Sequence, residues 1–168
     1  MIDSLILVVF PALMAYAAFS DLFTMTIANW ISIALVAAFV GIALLTGLPA
    51  SAILLHLACG LSVLAITFVL FSLGQIGGGD AKFAATTAVW LGFEHLAEYG
   101  LIASLIGGAL TLGVLAFRRL PLPGWARGRA WIDRLHDAKV GAPYGIALAI
   151  TGILLYPESQ LFLKTLGA

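Results

Sequence analysis

Asp21 and Asp80 stand out in a chain almost free of charge. Asp21 follows the apolar run MIDSLILVVFPALMAYAAFS, and Asp80 sits in IGGGDAKF between the third and fourth apolar runs. Ionisable groups in or beside membrane segments are expensive to keep, and they mark functional sites by default. Two close carboxylates can share a proton, because both cannot easily carry charge at once. The charged one accepts a proton from water, and the protonated one polarises a scissile carbonyl. Such a pair titrates as a unit, so neither role belongs to one residue. This is the chemistry of peptide hydrolysis without a metal or a nucleophilic side chain. The same groups could carry a proton or ion, or stand as hydrated interface acids. On spacing alone, peptidase and small transporter remain close together, with a structural role behind them.

The residues around the pair are less telling. Gly77, Gly78 and Gly79 precede Asp80 and offer backbone freedom with no side chains, so an extended substrate could approach closely. No full nucleotide motif follows them. Lys82 either tunes the acidic pair or meets a lipid phosphate. Asn29, near the start of the second helix, could hydrogen-bond near Asp21 or simply begin that helix. Pro143-Tyr144-Gly145 opens the last long apolar run, where proline suits a first turn and Tyr144 suits an interface. Nothing in the sequence gathers His56, His95 and His136 with carboxylates in a ligand pattern. No metal or other cofactor is therefore expected. The single cysteine, Cys59, lies mid-helix and reads as a packing residue.

The elements that must position these groups follow from composition. The 168 residues are 62% hydrophobic and only 10% charged, which excludes an ordinary water-soluble surface. The expected fold is all-α: a polytopic membrane protein of six transmembrane helices in one domain, 1–168. The helices are read over about Leu5–Ser20, Ile27–Leu45, Ala52–Ser72, Ala81–Gly92, Tyr99–Phe117 and Ala142–Tyr156. The first is not a cleaved signal peptide, since it lacks a basic start and carries Asp3. Small residues at Gly107, Gly108, Gly113, Gly141, Gly145 and Gly152 permit close helix contact. The loop over 118–139 holds six of the eight basic residues, Arg118, Arg119, Arg127, Arg129, Arg134 and Lys139. The positive-inside rule puts it in the cytoplasm. Counting six spans puts Asp21 and Asp80 on that face too, and both termini on the other. Within the loop, Trp131, Ile132 and Leu135 share one face of a short interfacial helix, with Trp125 as an anchor. So few basic residues in one loop do not make a nucleic-acid surface.

In order and on one expected face, these motifs resemble the prepilin peptidase family of membrane Gly-x-Gly-Asp aspartyl proteases. The match reads Gly77-Gly78-Gly79-Asp80, then Ala81-Lys82. Upstream, Asp21-Leu22-Phe23-Thr24-Met25-Thr26-Ile27-Ala28-Asn29 is similar to the family's aspartate, threonine-bearing turn and Ile-Pro-Asn, with Ala28 in place of proline. Pro143-Tyr144-Gly145 fits the family as well. The resemblance implies Asp21 and Asp80 as catalytic residues and Gly77, Gly79, Lys82 and Asn29 as active-site support. It implies Thr24, Thr26, Pro143, Tyr144 and Gly145 as substrate-contacting or site-shaping groups. No amino-terminal region with paired Cys-x-x-Cys motifs is present, so methyl transfer is not expected. This looks like the short CpaA/TadV-like type that serves Flp, or type IVb, pili, with archaeal preflagellin peptidases nearby. The implied substrates are prepilin or pseudopilin precursors, cleaved between a basic leader and an apolar helix at the cytoplasmic face of the inner membrane. Other implied partners are membrane lipid and pilus assembly machinery.

Overall fold

The computed structural model describes residues 2–124, 126 and 128–165. Trp125 and Arg127, read above as an anchor and as part of the basic loop, lie outside them. Every long element described is helical. They are α1 (Ile2–Thr24), α2 (Asn29–Leu45), α3 (Ala50–Ser72), α4 (Gly78–Leu91) and α5 (Leu96–Arg118), then α6 (Ala130–His136), α7 (Gly145–Leu155) and α8 (Gln160–Thr165). A 3-10 turn, Tyr156–Glu158, joins the last two.

The expectation of six membrane-spanning helices is corrected. Among the described residues, three helices are long and apolar enough to cross a bilayer, over Leu7–Thr24, Ala50–Ser72 and Leu96–Arg118. The stretches Asn29–Leu45 and Gly145–Glu158 are apolar but shorter. The 14 residues of α4 rise about 21 Å, against about 30 Å of hydrocarbon. Apolar content misleads here because it marks interior helices as well as lipid-facing ones. Ala81 and all of Phe83–Leu91 in α4 are buried inside the protein. The all-helical class stands.

Packing explains how the two aspartates reach one end. α4 packs chiefly on α3, while α7 packs on α1, α5 and α4. Lipid offers little hydrophobic drive between helices, so close approach at small residues matters. A Cβ on Gly60 of α3 would collide with Val89 Cγ2, which shows how tightly α3 and α4 meet. Gly107, Gly145 and Gly152 also sit at crowded contacts, whereas Gly108, Gly113 and Gly141 face open space. The far end of the bundle is held by aromatics. Phe10 packs against Trp90 and Tyr156, each with ring centroids 4.7 Å apart. The Trp90 indole N–H donates to the Leu35 carbonyl at 3.0 Å, satisfying a fully buried donor.

Candidate active site

Asp21 does not follow the first helix; it lies in the last turn of α1, which continues to Thr24. The helix stops at Met25, whose φ of 54° is left-handed and whose N–H donates to the Asp21 carbonyl at 2.8 Å. A left-handed residue after the last turn is a common helix terminator, though glycine is its usual occupant. Asp80 is the third residue of α4, after Gly77 as N-cap. Its carboxylate reaches back to accept the Gly77 N–H. That is half of a capping box, closed here by the shorter aspartate in place of glutamine or glutamate.

Asp21 is buried, and its Oδ2 accepts the Gly145 N–H at 2.8 Å. Gly145 opens α7, so this donor is one of the first-turn N–H groups that the helix itself leaves unpaired. Each aspartate is thus held by a backbone N–H at a helix start. The glycines matter by what they leave out. A Cβ on Gly145 would fall 2.8 Å from Asp21 Oδ2 and 2.6 Å from Ile27 Cδ1. A Cβ on Gly77 would fall 2.8 Å from Asp80 Oδ2. None of Gly77, Gly78 and Gly79 has a positive φ, so space for the carboxylate, rather than backbone freedom, explains Gly77.

Both aspartates line one cavity of about 680 Å³, together with Met25, Thr111, Gly141 and Tyr144. They also share a smaller cavity of about 260 Å³ with Thr26, Ile27 and Gly77 to Gly79. Asp80 stands outside the three candidate spans, and its carboxyl is pushed up to about 6. Burial is the main cause, the neighbouring Asp21 charge adds to it, and the Gly77 hydrogen bond opposes it. Tyr144 donates its hydroxyl to the Ala103 carbonyl at 3.1 Å, with its ring seated over Gly107. Thr24 and Thr26 bond to each other, Oγ1 to Oγ1, at 2.7 Å, and Pro143 is buried just before α7. Lys82 and Asn29 lie apart from both cavities. Lys82 Nζ donates to Asn29 Oδ1 at 3.0 Å, and the two line a separate groove.

Residues 8–112, more than half of the chain, match the model of the Type IV leader peptidase family. The chain belongs to that family. No curated protein and no solved structure matches it. As a leader peptidase family member it carries a hydrolytic function of the leader-peptidase type, in a multi-pass protein of the inner membrane. The matched stretch holds Asp21, the glycine run and Asp80, and ends before the Gly145 that bonds Asp21.

Several groups at this candidate site carry little sequence signal. Met25, Gln75 and Thr111 line the larger cavity, yet each reads as ordinary loop or span. Arg118 and Arg134 read only as topogenic charge. In the fold Arg118 donates to the carbonyls of Leu135, Val140 and Gly141, at 2.8, 2.8 and 3.0 Å. Arg134 donates to the Phe23 carbonyl at 2.7 Å, at the end of α1. The expectation that nothing gathers the histidines with carboxylates in a ligand pattern is also corrected. His95 Nδ1 lies 3.8 Å from Glu98 and 4.0 Å from Glu158, because α5 and the 3-10 turn meet beyond the end of α4. That cluster is at the opposite end of α4 from Asp80.

Proposed function

We propose that this protein is a leader endopeptidase in which Asp21 and Asp80 form the catalytic pair. One observation carries the reading: both carboxylates line the same cavity, each held by a backbone N–H, in a chain of the leader peptidase family. A water between them loses a proton to the ionised carboxylate as it attacks the scissile carbonyl. The protonated carboxyl hydrogen-bonds the developing oxyanion. Protonation of the leaving nitrogen then separates leader from product. The raised position of Asp80 supports a carboxyl that still holds a proton at a pH where an ordinary aspartate has lost it.

The proposed substrates are type IVb (Flp-like) prepilins or pseudopilins, and the proposed type is the short CpaA/TadV-like one. The proposed cut lies between a basic leader and an apolar helix. The site faces the cytoplasm in this reading, on an argument that does not depend on counting spans. Arg134 is bonded to the end of α1 beside Asp21, and Val140 and Gly141, directly after the basic loop, line the cavity. The basic loop and the site therefore share one end of the molecule, and basic loops stay inside. Ile2 begins α1 at the other end, and Lys164 bonds the Gly47 carbonyl there, so both chain ends face outward in the same reading.

The test is coexpression with a Flp-type prepilin, with products resolved by size and by amino-terminal sequence. Wild type should cut at the leader–helix junction. Asp21→Asn and Asp80→Asn, inserted in the membrane at normal levels, should each cut at least about a hundredfold more slowly. Normal processing by either variant would sink the mechanism.

A further inference from the structure

A second open groove, of about 960 Å³, runs along α2 between that helix, α3 and α4. It shares no lining residue with either aspartate cavity. Its lining is sorted along its length. At one end the Lys82 ammonium donates to Asn29, with Ser32 a turn further along α2. Beyond them the walls are apolar, from Ile33, Val36 and Val40 of α2 and Leu64 of α3. Lys82 is exposed, and among the described residues no carboxylate pairs with it. The groove carries a net positive charge at its polar end only.

The length decides what fits. Asn29 to Gly41 is 13 residues of helix, whose 12 steps rise about 18 Å. The hydrocarbon core is about 30 Å thick, so the groove covers little more than one leaflet. A spanning helix would need the whole thickness. One extended acyl chain needs one leaflet, with a charged head at the interface.

We infer that this groove is a binding site for one anionic phospholipid, its phosphate on Lys82 and Asn29 and an acyl chain along the apolar face of α2. A cation near the membrane surface favours an anionic lipid by on the order of fivefold per lysine. The phosphate oxygens accept from the Lys82 ammonium and the Asn29 amide. The Asn29 Oδ1 that now accepts from Lys82 remains available to it, since an ammonium has three donors. The site sits beside the aspartates in sequence and opens on a different side of α4.

The test is native mass spectrometry of the delipidated full chain in detergent, titrated with dioleoyl-phosphatidylglycerol and with dioleoyl-phosphatidylcholine. Wild type should bind its first phosphatidylglycerol about fivefold more tightly than phosphatidylcholine. Lys82→Gln should bring the two lipids to near-equal binding. Ala37→Trp, which fills the apolar part of the groove, should weaken the first site for both. Equal binding of the two lipids by wild type would overturn the inference. So would an unchanged preference in Lys82→Gln, or, should that variant not fold, undiminished binding by Ala37→Trp. Displacement of the bound lipid by an equimolar apolar helical peptide would make the groove a seat for a helix instead.

Discussion

Asp80 meets two opposed demands, since the burial that raises its carboxyl to about 6 also makes its ionised form costly to the fold. Between 3.8, its ordinary value, and about 6 the folded chain holds a proton that the unfolded chain releases. The stability this contributes is fully present below the unfolded value and is lost as pH rises through the folded one. Asp80→Asn removes the titration while keeping an acceptor for the Gly77 N–H. Its melting temperature in detergent should exceed wild type by several degrees near about pH 7, and the gap should close near about pH 4. The ceiling on this gain is about 3 kcal/mol, from a shift of about two units. A gap that is the same at both pH values would refute the assignment to Asp80 titration. Gly145 gives a second residue-scale prediction. A methyl there meets the Asp21 carboxylate and Ile27, so Gly145→Ala should lower cleavage about tenfold or more and cost about 1–3 kcal/mol. Gly113→Ala, which meets nothing within 4 Å, should do neither. Comparable losses in both variants would show that helix glycines act here through something other than that contact.

At the scale of elements, α7 is the part that assembles the cavity. It lies against both α1 and α4, and its first N–H holds Asp21 while Tyr144 before it forms part of the cavity wall. The segment leading into α7 is fixed by Arg118, whose guanidinium serves three carbonyls across the basic loop. Charged donors to carbonyls contribute about 1.5–3 kcal/mol each in favourable cases, and less where water competes. Arg118→Gln should therefore release the loop ahead of α7. Trypsin should cut at Lys139 several-fold faster than in wild type, and cleavage of precursor should fall with it. A trypsin pattern identical to wild type would mean that the loop is held elsewhere. On the same side, α6 is tied down by Trp131, which packs edge-on against Phe23 of α1 with centroids 5.5 Å apart. The short helix is thus docked on the end of α1 beside the site.

Taken whole, the molecule has the aspartates and arginines at one end and a cluster of buried aromatics toward the other, and its proposed orientation follows from where the arginines sit. Cys59 is the single cysteine and is buried, so its replacement by Ala gives a clean background for labelling. In that background, Lys139→Cys should react with an impermeant maleimide only from the cytoplasmic side, and Glu94→Cys only from the opposite side. Labelling of both from one side would overturn the proposed orientation. Much of this protein was written in the order of its residues. Composition determined an all-helical membrane protein, and the placing of Asp21, Gly77 to Asp80 and Pro143 to Gly145 carried the family resemblance. Those are local facts, set by side-chain chemistry and by where apolar runs break. The number of spans was not local. An apolar helix such as α4 buries itself in protein or in lipid with the same residues, and only packing tells which. Nor could the sequence say that Asp21 bonds the first N–H of α7, that Lys82 turns away to Asn29, or that His95 meets Glu158. Those pairings join residues 53 to 124 positions apart, and only the tertiary structure brings them within hydrogen-bonding or ion-pair reach.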